Sequence, residues 1–187
     1  ASDQTVITAT DGELYGFRHE DPTAELEKLL LQPRLSTKTI SEFISIFRRP
    51  EKILLRPCSW ESSEKELRAK QPYFVWNNPR NALQKKLWEL ARLALSAAER
   101  YRRDNNHHWM RWHLVRGLAS CTFWWASAKD FSHNFGPHAW NPDEIERGVN
   151  EFIRAIRSIE APSSRSLKIK GERLYVLIKQ MIWEQHW

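Results

Sequence analysis

Cysteine is scarce in this chain: Cys58 and Cys121 are the only two among 187 residues. Two distant cysteines build neither a disulfide framework nor a zinc cluster, and a reducing cytoplasm is the compartment this usage implies. No apolar run approaches the roughly 18 residues that a membrane span needs, and the first residues do not read as a secretory leader. Walker patterns, nucleophile elbows and zinc Cys pairs are missing as well, so no cofactor is expected. His107, His108 and His113 stand five and six apart, not at the His-x-x-x-His interval that puts two ligands on one helix face. No metal site is expected from them, and a satisfied surface or interface role is. His133 and His138, around Phe135-Gly136-Pro137, read as solvated loop residues.

Charge of one sign is not concentrated either. The net charge of +6 leaves 29 basic residues interspersed with 23 acidic ones. A field of that kind is too weak to argue for nucleic acid or anionic lipid as the partner. Hydrophobic content of 41% is enough for a packed core. The unusual abundance is tryptophan, with ten residues. An indole is costly to bury unless its N–H finds an acceptor. It is also a flat platform for sugars or bases. The Trp124-Trp125 pair adjoins Ser120-Cys121-Thr122-Phe123, and adjacent residues do not share a helix face. A tryptophan-filled core and the wall of a sugar-binding cleft both satisfy that pattern.

The first strong local signal is Thr5 to Asp21, TVITATDGELYGFRHED. Its β-branched run predicts a strand that ends at Asp11-Gly12. Asp11 and Glu13 then stand just past a strand's carboxyl end, where α/β proteins gather catalytic groups. Local pattern alone favours an ordinary solvated acidic turn. Helices are expected over 22–31 and from Thr39 to about Arg48, the latter opened by a Thr39–Glu42 capping box. A second strand is expected over 52–58. No later segment supplies the neighbours a parallel pair requires. The opening residues lack an initiator Met and enter a strand almost at once, so the chain reads as a piece of a longer polypeptide. Beyond Trp60 strand signals stop. A polar stretch with Tyr73, Phe74 and Trp76 reads as a loop, followed by helices over 81–105, 109–126, 141–158 and 167–187. The expected fold is mainly α with a small β/α part: residues 1–60 as the last strands of an incomplete (β/α) barrel, then 61–187 as a helical bundle domain.

TATDGELYGFRHE resembles the fourth sequence region of glycoside hydrolase family 57, an Asp-x-Glu followed by an aromatic residue and Gly. Asp11, Glu13, Tyr15 and Gly16 fall at that spacing. Further on, SCTFWW at 120–125 is similar to the family's fifth region, Ser-Asp-Trp-Phe-Trp-Trp in several members. Cys121 stands where many members have Asp, and Thr122 where they have Trp. The specific matches cover about twenty residues, and the family's first three regions, including a His-Gln-Pro and the strand-end Glu nucleophile, are not found. The resemblance implies the C-terminal part of a retaining α-glucan hydrolase or glucanotransferase. It makes Asp11 the general acid/base, with Glu13 orienting it or touching sugar. Trp124, Trp125, Trp60 and His19 then line the cleft. Its partners are an α-glucan or oligosaccharide, and an N-terminal portion or companion chain that brings the nucleophile. A non-catalytic carbohydrate-binding or assembly protein is the alternative. A basic helical nucleic-acid module comes third, because the charges are dispersed.

Overall fold

A computed structural model of the chain describes residues 24–46, 54–59, 62–127 and 139–187. The chain divides into two units, Ala1–Leu54 and Leu55–Trp187. The strand expected over 5–10, with Asp11, Glu13 and His19, lies outside the described residues, as does Trp60.

In the first unit two short helices are described, α1 (Glu25–Leu30) and α2 (Ile40–Ser45). The capping box that opens α2 is complete. The Thr39 hydroxyl accepts from the Glu42 N–H at 3.2 Å, and the Glu42 carboxylate accepts from the Thr39 N–H at 2.7 Å. These backbone and side-chain donors hold the Glu42 carboxyl below the ordinary carboxylate range.

The second unit is a helical bundle. Its helices are α3 (Glu64–Arg68), α4 (Ala82–Arg100), α5 (His107–Gly117), α6 (Ser120–Trp124), α7 (Pro142–Arg157) and α8 (Arg165–His186). α4 begins where Asn81 accepts the Gln84 N–H, and α7 where Asn141 accepts from Asp143 and Glu144 with Pro142 at the first helical position. α7 lies at the centre, against α4, α5, α6 and α8. Its Ile145, Val149, Phe152, Ile153 and Ile156 are wholly buried, facing Leu87, Leu90, Ala91 and Ala94 of α4 and Ile178 and Ile182 of α8 within one core. Burying each such side chain contributes about 1.5–3 kcal/mol of transfer free energy. Asp104, in the turn after α4, accepts from the N–H groups of Asn106, Glu160 and Ala161 at 3.0–3.2 Å and so ties two inter-helix turns together. Burial pushes its carboxyl up, but those N–H groups and the Lys168 charge outweigh burial and hold it low.

Three local expectations need correction. The described part of the second expected strand, residues 54–58, forms no strand, and Leu54 and Leu55 are exposed. A compact apolar run forms a strand only when a neighbour pairs with it, and none does so among the described residues. The stretch after Trp60, expected to be a loop, contains α3, which opens on a Ser63–Glu66 capping box. The single helix expected over 109–126 is two. It breaks at Leu118-Ala119, where Ala119 is extended (φ −53°, ψ 130°). The break lets α6 turn onto α7 at a very close approach. A Cβ on Gly148 would lie 2.1 Å from the Thr122 hydroxyl oxygen, so only glycine fits there. No strand is present among the described residues; Ala126 and Trp140 form an isolated antiparallel bridge.

Candidate functional site

The second unit holds an open cleft of about 520 Å³ with a mainly apolar lining that includes four aromatic residues. Four pieces of chain build it. Cys58 and Ser59 come from the segment before α3, and Tyr73, Trp76 and Asn77 from the irregular stretch before α4. Trp88 stands on α4, and Leu118, Ser120 and Phe123 belong to the α5–α6 break and to α6.

Buried amides hold these walls together. Gln84 is fully buried, and its Nε2 donates to the carbonyls of Val75 at 2.7 Å and Phe123 at 3.0 Å. Its Oε1 accepts the Asn78 N–H at 2.9 Å. One turn earlier, Asn81 donates to the Ala126 carbonyl at 2.7 Å. Thus two side chains at the start of α4 clamp both the 75–78 stretch and α6. Trp88, four residues after Gln84, donates its indole N–H to the Trp76 carbonyl at 2.9 Å. Its ring stacks on Phe123 with centroids 4.1 Å apart and planes 14° from parallel. Phe123 in turn leans on core Phe152 at 6.1 Å. The Ser59 and Ser62 hydroxyls both hydrogen-bond to the Pro72 carbonyl, which fixes the remaining wall.

The cleft's chemistry follows from this lining. It offers flat apolar ring surface, with the half-exposed Tyr73 among the aromatic groups that surround it. The Ser120 hydroxyl and the Asn77 amide line it too, and neither side chain is engaged elsewhere among the described residues. Among the described residues no carboxylate or histidine lines it. The arrangement suits an uncharged ligand with one apolar face and several hydroxyls. Among the described residues it presents no carboxylic acid to such a ligand.

Of the residues singled out in the sequence, Trp124 and Trp125 are described. They sit at the end of α6, half-buried against the core, with ring centroids 4.6 Å apart. They lie beside the cleft-lining residues of the same helix rather than among them. The indole N–H of Trp124 is buried without an acceptor among the described residues. Cys121 is exposed. Trp76 and Trp88 are the cleft tryptophans that the sequence did not single out. The available signal was the Gln84–Trp88 pair, a polar and an aromatic residue one turn apart beside a Leu/Ala stripe.

A second cluster lies between α5 and α7. The Glu151 carboxylate, only 5% exposed, meets His113 Nδ1 at 2.8 Å, Arg154 at 3.2 Å and Arg116 at 3.4 Å. His113 therefore has a satisfied interface role, whereas His107 Nδ1 is buried without a partner among the described residues. No group of three or more His, Cys, Asp or Glu side chains among the described residues is arranged to hold a metal ion. No described helix is long and apolar enough to cross a membrane. Comparison of the chain with known protein families, with characterised proteins and with solved structures finds no match.

Proposed function

We propose that these residues are the C-terminal part of a retaining α-glucan-active glycoside hydrolase or glucanotransferase of the family-57 type. In this reading 1–60 contributes the last units of a (β/α) barrel and 61–187 a helical domain. Asp11 protonates the glycosidic oxygen and then activates water or an acceptor hydroxyl, and Glu13 orients it or touches sugar. Retention requires a second carboxylate about 5–5.5 Å from the first. The nucleophile comes from a barrel portion outside the matched regions.

The observation that carries this reading is the aromatic cleft. Helix α6, whose SCTFW sequence resembles the family's fifth region, supplies Ser120 and Phe123 to it. Half-exposed Tyr73 and partly buried Trp88 add aromatic surface of the kind that stacks on pyranose rings. Its volume lies within the usual range for sites that take small ligands. The test titrates maltooligosaccharides against the chain by tryptophan fluorescence and follows reducing ends in the complete assembly. Saturable binding to the chain, with turnover in the assembly that Asp11→Asn lowers by orders of magnitude, is the expected result. Unchanged turnover in Asp11→Asn sinks the assignment. One observation favours a non-catalytic carbohydrate-binding protein: exposed Cys121 occupies the position where many members carry a carboxylate. Binding without any product in the assembly selects that reading.

A further inference from the structure

Helix α5 carries a ladder of side chains that the core does not use. Trp109 and Trp112, one turn apart, are 51% and 48% exposed. Their rings meet edge to face, with centroids 6.0 Å apart and planes at 82°. Arg116 continues the row, its guanidinium 4.5 Å over the Trp112 ring, while its Nε is held by Glu151. His113 packs edge-on against Trp112 at 4.9 Å and is itself fixed by Glu151. A half-exposed indole is ordinarily mobile. Trp112 is instead clamped by a cation on its face and an imidazole on its edge, and both clamps are anchored to one buried carboxylate. The ring is thus pre-organised for a partner, and this lowers the ordering cost of binding.

The charge pattern around the ladder says what that partner is. α5 brings two guanidiniums, Arg111 and Arg116, and no acid. On the adjoining α7, Glu151 meets Arg116, and Asp143, Glu146, Arg147 and Arg154 line one surface depression with it, whereas Arg157 pairs with Glu172 of α8. Four positive charges (Arg111, Arg116, Arg147, Arg154) against three negative ones (Asp143, Glu146, Glu151) leave a mixed-sign surface, not the continuous basic groove that follows a phosphate backbone. Indole faces flanked by donors and acceptors of both signs complement a neutral polyol: ring C–H groups stack while hydroxyls reach guanidinium and carboxylate. The steep angle between the two indoles narrows this further. A flat ribbon-like polysaccharide calls for coplanar platforms, whereas successive residues of a curved α-linked glucan turn their faces.

We propose that the Trp109–Trp112–Arg116 face of α5 is a second carbohydrate platform, which holds a polymeric α-glucan chain apart from the aromatic cleft. It rests on the α-glucan reading given above. The test uses the full 187-residue chain and two probes. Glycogen in a native gel reads the platform, and maltotetraose followed by fluorescence reads the cleft. The double variant Trp109→Ala/Trp112→Ala should lose retardation by glycogen about tenfold or more, while its maltotetraose affinity stays within twofold of wild type. The pair Trp109→Tyr/Trp112→Tyr, which keeps ring faces, should recover most of the retardation, and circular dichroism should show all variants equally helical. Wild-type retardation of the alanine variant, with maltotetraose binding intact, overturns the platform and spares the cleft. Retardation by cellulose derivatives but not glycogen also overturns it. So does binding of single-stranded DNA that falls steeply with salt and requires both tryptophans. Failure of the wild-type chain to bind either glycogen or maltotetraose overturns the underlying reading along with it.

Discussion

Replacing Gln84 with Met keeps the side chain's length and removes all of its hydrogen bonds. The substitution leaves the carbonyls of Val75 and Phe123 and the N–H of Asn78 without their partner, at a site with no solvent exposure. A made hydrogen bond is worth about 0.5–1.5 kcal/mol net, and a buried group left unmade costs about 1–3 kcal/mol. Three such groups, less about 1 kcal/mol for the better burial of a thioether, give a loss of roughly 3 kcal/mol. In a unit of this size that lowers Tm by on the order of 10 °C. The assay is urea and thermal unfolding followed by circular dichroism, with maltotetraose titration on the variant that remains folded. Because Gln84 joins the 75–78 stretch to α6, sugar affinity should fall as well, even where the helices persist. Gln84→Glu separates hydrogen bonding from packing. It keeps an acceptor for Asn78 but sets a carboxylate against two carbonyl oxygens, so it should be worse than Met at neutral pH and improve on acidification. A Met variant within about 0.5 kcal/mol of wild type refutes the reasoning, since the clamp would then be mere filling.

Other perturbations test the frame around the cleft. Gly148→Ala gains helix propensity of roughly 1 kcal/mol, yet sets a methyl 2.1 Å from the Thr122 oxygen. Net destabilisation of about 1–3 kcal/mol is expected in urea melts, partly recovered by Thr122→Gly, and a stabilised single variant would show that α6 does not press on α7. Lys70 closes α3 at φ 56°, with the Gln71 N–H reaching the Glu66 carbonyl, a Schellman arrangement that favours glycine. Lys70→Gly should therefore raise stability by about 0.5–1 kcal/mol, and a loss of stability would contradict it. Glu172 receives two bonds of 2.7 Å from Arg157. The Arg157 hydrogen bonds and charge hold its carboxyl low against the opposing effect of burial. A folded-state value below the unfolded one stabilises above the ordinary carboxylate range and is lost as pH falls through the folded value. The difference in stability between wild type and Glu172→Gln should be a few tenths to about 1 kcal/mol at pH 7, because both partners are 41–49% exposed, and should close on acidification. A gap independent of pH would exclude the ion pair as its cause.

How much of this was legible beforehand depends on the range of the interaction. The Thr39 and Asn141 caps were read correctly because a cap is a matter of four adjacent residues. The buried faces of α4 (Leu83, Leu87, Leu90, Ala91, Ala94, Ala98) and α8 (Leu174, Ile178, Ile182) were legible because periodicity is local too, but Leu95 and Leu177, at the same helical spacing, are exposed. The break at Ala119 was not. Its cause is the fit of α6 against Gly148, nearly thirty residues away, and no local pattern carries it. The described part of the expected second strand, residues 54–58, failed for the same reason, since pairing is a property of two segments. The cleft was half legible. The aromatic patch at 73–76 and the 120–125 segment both attracted attention, but the members that face the cleft, Trp76, Ser120 and Phe123, are selected by the Gln84 clamp. The Glu151 cluster left no signal, because its partners lie on two helices and nothing in the spacing of His113, Arg116 and Glu151 joins them.

That cluster bears on where the chemistry resides. Glu151 is the only charged side chain that is fully buried among the described residues, and a buried carboxylate is an obvious candidate for a general acid. Its oxygens, however, are spent. One meets His113 and Arg116 and the other Arg154, so both oxygens are engaged in holding α5 and α7 together. It is also absent from the cleft lining. Glu151 is thus a structural anion that holds α5 to α7 and, through Arg116 and His113, orients Trp112. The acid of the proposed reaction must come from elsewhere, and Asp11 is the residue assigned to it. The two variants should separate cleanly. Glu151→Gln removes the negative charge at the centre of a network whose guanidiniums are half exposed and can rehydrate, so folding stability should fall by about 1–3 kcal/mol while turnover per folded molecule in the assembly is kept. Asp11→Asn should leave the melting curve and maltotetraose affinity near wild type and abolish turnover. Equal loss of turnover in both, at matched folded fractions, would place Glu151 in the reaction and refute its role as a structural anion.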